Sequence, residues 1–151
     1  MNLMDFANKL RNAETEHDVF MRGCVDELSG RFLAKVRQLT PVGEGQFEMA
    51  DGKPAKVRNG GALRRAWNTK SAQKSGKRYR AIVRNNLKYA SYVEYGHRQH
   101  VGQFVPVLGK RLVNSWVPGQ HMMQISHNEV KRQAGAIIQR RFHKFLKGKL
   151  K

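Results

Sequence analysis

The chain has 151 residues, 40% of them hydrophobic, which is enough to bury a core without staples and too much for a disordered protein. A single cysteine, Cys24, excludes a disulfide framework and a multi-cysteine zinc site, and no apolar run approaches the roughly 18 residues of a membrane span. The formal net charge is +18, and because residues 1–39 hold six bases and six acids, the whole surplus falls in residues 40–151.

In chain order, residues 14–39 read as the longest helix. Met21, Val25, Leu28, Phe32, Val36 and Leu39 recur in steps of three and four, with Glu14, Glu16 and Asp18 at the start and Lys35 and Arg37 at the end, as the helix dipole favours. Cys24 falls near this apolar face and reads as a small core residue. Gly23 and Gly30 weaken the helix enough to allow a break, and residues 1–11 read as a separate short helix with Leu3, Phe6, Ala7 and Leu10 on one face. The first residues lack a basic segment followed by an apolar one, so no secretion signal is expected and assembly in a cytoplasm is.

Thr40-Pro41 stops the helix, since a residue before proline avoids helical backbone. Residues 43–60, rich in glycine, read as a flexible loop or long hairpin excursion. Residues 64–69 and 79–84 read as two strands of an antiparallel hairpin whose cationic tip is Lys70–Lys77. Residues 89–95 read as a two-turn, tyrosine-rich helix ended by Gly96. A loop over 97–109 and a strand over 110–117 follow. Ser126 and Glu129 have the spacing of a capping box opening a C-terminal helix, and from Lys131 onward there are eight bases and no acid. Trp67 and Trp116, both on expected strands, are expected in the core. The expected architecture is α+β in a single domain, 1–151. Its parts are the N-terminal helical element (1–39), the loop insertion (43–60), a small antiparallel sheet region with the basic hairpin and the short tyrosine-rich helix (61–125), and the basic C-terminal helix (126–151) packed on the sheet.

Three blocks carry a resemblance. The first is Thr40-Pro41-Val42 followed, after the insertion, by Gly61, Leu63 and Arg64. The second runs from Asn85 through Tyr89, Ala90, Tyr92 and Glu94 to Gly96, and the third is Pro118–Met123. Together they resemble the HK97 gp10-like family of tailed-phage proteins, which complete the tail or join it to the head. The resemblance implies a virion protein at the head–tail junction, working as a ring, commonly six-fold, around the DNA path. Implied partners are further copies of itself, the head connector or head-closure protein, and tail tube or tail terminator proteins. Non-specific contact with double-stranded genomic DNA is implied and a membrane is not.

Tyrosine combines large apolar area with a polar tip, so Tyr89, Tyr92 and Tyr95, with Glu94, His97 and Arg98, are the candidate subunit or partner interface at half-buried positions. Glu94, the only acid between Asp51 and Glu129, is expected to pair with an arginine. Candidate contacts to DNA are Lys70, Lys74, Lys77 and Arg78 on the hairpin, then Arg140, Arg141, Lys144 and Lys147 on the last helix, which could instead meet an acidic neighbouring ring.

No catalytic, cofactor or metal site is expected. His97 and His100 lack the spacing of two ligands on one helical face, and only five acids follow Thr40, too few for a carboxylate-held nuclease metal. The glycines fit neither dinucleotide nor P-loop spacing. The rival readings are a stand-alone, sequence-independent DNA-binding protein contacting DNA through the C-terminal helix, and a small nuclease using the histidines.

Overall fold

A computed structural model describes residues 2–43, 46–48, 54–56, 60–106 and 109–149. The chain forms two compact units. One comprises Met1–Leu33, Thr69–Val83 and His127–Lys151, the other Ala34–Asn68 and Arg84–Ser126. The architecture is α+β, with a long N-terminal helix, small antiparallel sheets, a short tyrosine-rich helix and a long C-terminal helix.

Helix α1 (Leu3–Leu39) is continuous over 37 residues, so the separate first helix and the break at Gly23 or Gly30 do not occur. An interior glycine costs about 1 kcal/mol, which a packed helix absorbs. Gly23 is moreover useful: a Cβ there would overlap the Arg141 guanidinium, which lies across the helix at that point.

The first unit assembles on α1. The C-terminal helix α4 (Met122–Lys149) lies antiparallel to it in this unit, with Phe20 against Phe142 and Phe145 at ring separations of 6.0 and 5.3 Å. The Glu27 carboxylate accepts from Arg31 at 3.1 Å and Arg141 at 3.0 Å, and from Arg140. Val130 of α4 faces Val25, Leu28 and Phe32 of α1, with Ala81 and Val83, around a shallow apolar hollow of about 270 Å³. A hairpin of strands β4 (Gln73–Ser75) and β5 (Arg78–Arg80) docks on α1 through polar groups. Asp26 accepts the Ala72 amide at 2.6 Å, and Asp18 takes both the Tyr79 hydroxyl and the Lys74 ammonium, the latter at 2.9 Å. Among the described residues of this unit only Cys24, Ala72 and Ile137 are fully buried and apolar, so these polar anchors, not a large core, set the hairpin's position.

The second unit contains the remaining strands. The described part of the glycine-rich segment includes β1 (Gln46–Glu48) antiparallel to β2 (Pro54–Lys56), with Phe47 opposite Ala55. It is a hairpin excursion, and residues 44–45, 49–53 and 57–59, on which the flexible-loop expectation rests, lie outside the described residues. Residues 62–66 are a short helix, α2 (Ala62–Ala66), where the pattern predicts a strand from residue 64. Ala-Leu-Arg-Arg-Ala is a run of strong helix formers, and it follows a left-handed Gly61 (φ 84°) that turns the chain. Only β3 (Trp67–Thr69) remains extended, and it pairs with β6 (Val83–Asn85).

Helix α3 (Ala90–Tyr95) leads directly into β7 (Gly96–Arg98), which pairs antiparallel with β10 (Trp116–Pro118). Further out, β8 (Phe104–Val105) pairs with β9 (Lys110–Arg111), and backbone bonds from Gln99 to Ser115 and between Gln103 and Leu112 link the two ladders. The expected loop over 97–109 and strand over 110–117 are therefore one long, irregular hairpin arm. Helix α4 begins at Met122, not at Ser126: Ser126 is buried and its hydroxyl donates to the Met122 carbonyl at 2.6 Å, so the capping-box spacing does not cap.

Candidate assembly interface

The first sequence block builds a joint at the end of α1. Thr40 is fully buried; its hydroxyl donates to the Val36 carbonyl at 2.6 Å and accepts the Trp67 indole N–H at 2.8 Å. Its carbonyl accepts two bonds from Arg64, Nε at 3.1 Å and Nη2 at 2.8 Å. Arg37 donates to the Trp67 carbonyl at 2.6 Å, and Asn85 donates to the Leu63 carbonyl at 2.8 Å. Pro41 ends the helix, and Val42 lies 3.7 Å from where a Gly61 side chain would begin. Thr40 with Arg64, Val42 with Gly61, and Leu63 with Asn85, distant in sequence, are thus brought together in pairs, and Thr40 and Arg37 hold Trp67.

The second block does a different job. Glu94, 4% exposed, accepts the Met123 amide at 3.2 and 3.0 Å and the Gln124 amide at 3.3 Å. The expected arginine partner is replaced by a helix N-terminus, whose unpaired amides and positive dipole end suit a carboxylate. The Gln120 amide donates to Val93 and the His121 amide to Glu94, tying α3 to the entry of α4. Gly96 has φ 84°, and a Cβ there would overlap the Val117 carbonyl oxygen; one on Gly119 would overlap the Glu94 carbonyl oxygen. The Gly96-to-Pro118 pairing is therefore a crossing only glycines allow.

The same segment displays apolar surface. Tyr92 and Tyr95 are 58% and 66% exposed and Tyr89 is 44% exposed, more than the half-buried placement expected. Tyr92 stands against His97, ring centroids 5.8 Å apart. Trp116, expected in the core, is instead half-exposed, because its strand belongs to the arm; Val101, Phe104 and Val113 are exposed farther along it. Arg98, opposite Trp116 in the pairing, is exposed as well.

Residues 4–96, more than half of the chain, match the profile of a family described as "Bacteriophage HK97-gp10, putative tail-component". The chain belongs to the HK97-gp10-like family. No curated protein and no solved structure gives a match. The family is one of phage tail components, which places this HK97-gp10-like chain in the virion. The match closes at Gly96, so the joint around Thr40 and the Glu94 carboxylate fall inside it, while the arm and α4 fall beyond it.

The cationic candidates divide. Lys70, Lys77 and Arg78 are exposed on the hairpin, whereas Lys74 is held by Asp18, with Glu14 at 4.0 Å. Hydrogen bonds from Tyr79 and Lys74 hold the Asp18 carboxyl below its ordinary value, and the Asp18 contact raises both Lys74 and Tyr79. Arg140 and Arg141 are shared with Glu27, which Arg141 above all holds below the usual carboxylate range. Lys144 and Lys147 are exposed along α4. Among the described residues no three His, Cys, Asp or Glu side chains gather as a metal site, and no helix is long and apolar enough to cross a membrane.

Two features of the HK97-gp10-like chain escaped sequence reasoning. The Thr40–Trp67 bond spans 27 residues, and no local pattern announces it. The arm did leave a signal: Phe104-Val105 and Lys110-Arg111 flank a short turn beginning at Pro106 and closing on Gly109, a hairpin spacing read as loop plus strand.

Proposed function

We propose that this chain completes the phage tail and joins it to the head as a ring of identical subunits, commonly six, around the DNA path. The observation carrying this reading is an uncovered apolar surface, Tyr92, Tyr95, Trp116 and their neighbours, on a member of a tail-component family. Monomeric proteins rarely leave such surfaces open, and aromatic side chains with polar tips are what protein interfaces use. Tyr89, Tyr92, Tyr95, His97 and Arg98 meet neighbouring subunits or the head connector, head-closure, tail tube or terminator proteins, while Glu94 holds their support in place.

Lys70, Lys77 and Arg78 serve passing DNA through non-specific, salt-sensitive phosphate contacts. Lys144 and Lys147 face DNA or an acidic neighbouring ring. Lys74, Arg140 and Arg141 act mainly inside the subunit, through Asp18 and Glu27. The 43–60 segment is a docking arm, tested by its protease sensitivity before assembly and protection afterwards. Assembly takes place in the host cytoplasm.

The deciding experiment is electron microscopy of particles from cells unable to make this protein. Filled heads beside separate, complete tails are the expected result. Normally joined particles would remove the joining role and bring a free DNA-binding protein forward.

A further inference from the structure

The first residues of α1 leave an apolar face uncovered. From Leu3 to Thr15 every residue except Ala7 is exposed, with Leu3 at 84%, Phe6 at 47% and Leu10 at 56%. Yet the spacing Leu3, Phe6, Leu10, Ala13, His17, Phe20, Cys24 steps three and four without interruption, and from Phe20 onward this is a face that meets α4. Among the described residues the ring contacts between α1 and α4 are those of Phe20 with Phe142 and Phe145, and an apolar stripe about 15 Å long, Leu3 to Ala13, precedes them on α1. The hairpin arm is the second such surface: Val101, Phe104, Val113 and Trp116 are between 49% and 80% exposed.

We infer that these two surfaces are partners in trans: the arm of one copy lies along the α1 overhang of the next. The inference rests on the ring reading above and names the joint that builds it. Charge selects the pairing. Each copy carries +18, so two copies approach best where that surplus is absent, and residues 1–39 are neutral. Residues 3–18 hold four acids against two bases, two of those acids, Glu14 and Asp18, already facing Lys74 of the same subunit, whereas residues 96–118 hold Arg98, Lys110 and Arg111 and no acid. A contact between two different surfaces of the same chain is heterologous, and heterologous contacts are those that close rings. Each joint is small, and closure of the ring multiplies it.

The test uses full-length chains carrying Leu10→Cys or Val113→Cys, supplied together or singly to cells lacking the wild-type protein. Purified particles are treated with a short bismaleimide. Both positions are exposed, and Cys24, at 3% exposure, is shielded from the reagent. A cross-linked pair in mixed particles, absent from particles carrying either variant alone, is the expected result. Val101→Cys replaces Val113→Cys if the latter fails to enter particles. Pairs within single-variant particles, or microscopy showing rings while mixed particles give no pair, overturn this joint and leave the ring reading standing. Joined particles whose necks contain no ring of this chain overturn the ring reading itself.

Discussion

At Glu94 one carboxylate takes the place that a serine or aspartate beside the helix usually fills, from about thirty residues away. Glu94→Ala leaves the Met123 and Gln124 amides, at a part-buried helix start, without their acceptor. It should cost about 2–3 kcal/mol in urea unfolding and speed hydrogen exchange at those two amides before the rest of α4. Glu94→Gln keeps an acceptor oxygen and should cost roughly half as much. Thr40 makes a comparable prediction: Thr40→Val preserves shape but orphans the Trp67 indole N–H, for an expected loss of about 1–3 kcal/mol. Equal stabilities for wild type and Thr40→Val would show that this bond contributes nothing net.

Among the elements, the helices were the most legible. The stripe from Met21 to Leu39 and the run from Val130 to Phe145 have the helical period, and both are helical. Local chemistry misled at their ends. Ser126 and Glu129 look like a cap, but the true cap is a distant carboxylate, and glycines that suggested breaks are accommodated by Arg141 at one position and by open space at Gly30. The motif residues were found as a pattern, while their roles as a joint around Trp67 and a seat for α4 depend on bonds spanning 22 to 30 residues. The α1–α4 contact carries its own pH dependence. Glu27 titrates below its ordinary value of 4.5 in the folded state, so its contribution is present above that value and is lost as pH falls through the lower, folded one. Glu27→Gln should therefore lower stability at neutral pH and flatten the acid limb of a stability–pH curve. An unchanged acid limb would place the acid sensitivity elsewhere, Asp18 being the next group to change.

For the whole molecule, charge is organised by region. A neutral stretch of 39 residues precedes a body that holds the entire surplus of +18, so the proposed self-association and the proposed DNA contact fall to different parts of the chain. Neutralising Lys70, Lys77 and Arg78 together should reduce the slope of log affinity for duplex DNA against log salt by up to about 0.9 for each phosphate that these side chains had neutralised. An unchanged slope would take the hairpin out of the DNA path. The crossing of β7 and β10 bears on a separate property. Gly96 and Pro118 close on one another beside the Glu94 seat, and the closure makes no demand on what lies between Arg98 and Trp116. Reach can thus change by insertion or deletion while the socket beneath stays constant, so one scaffold can carry a single interchangeable finger.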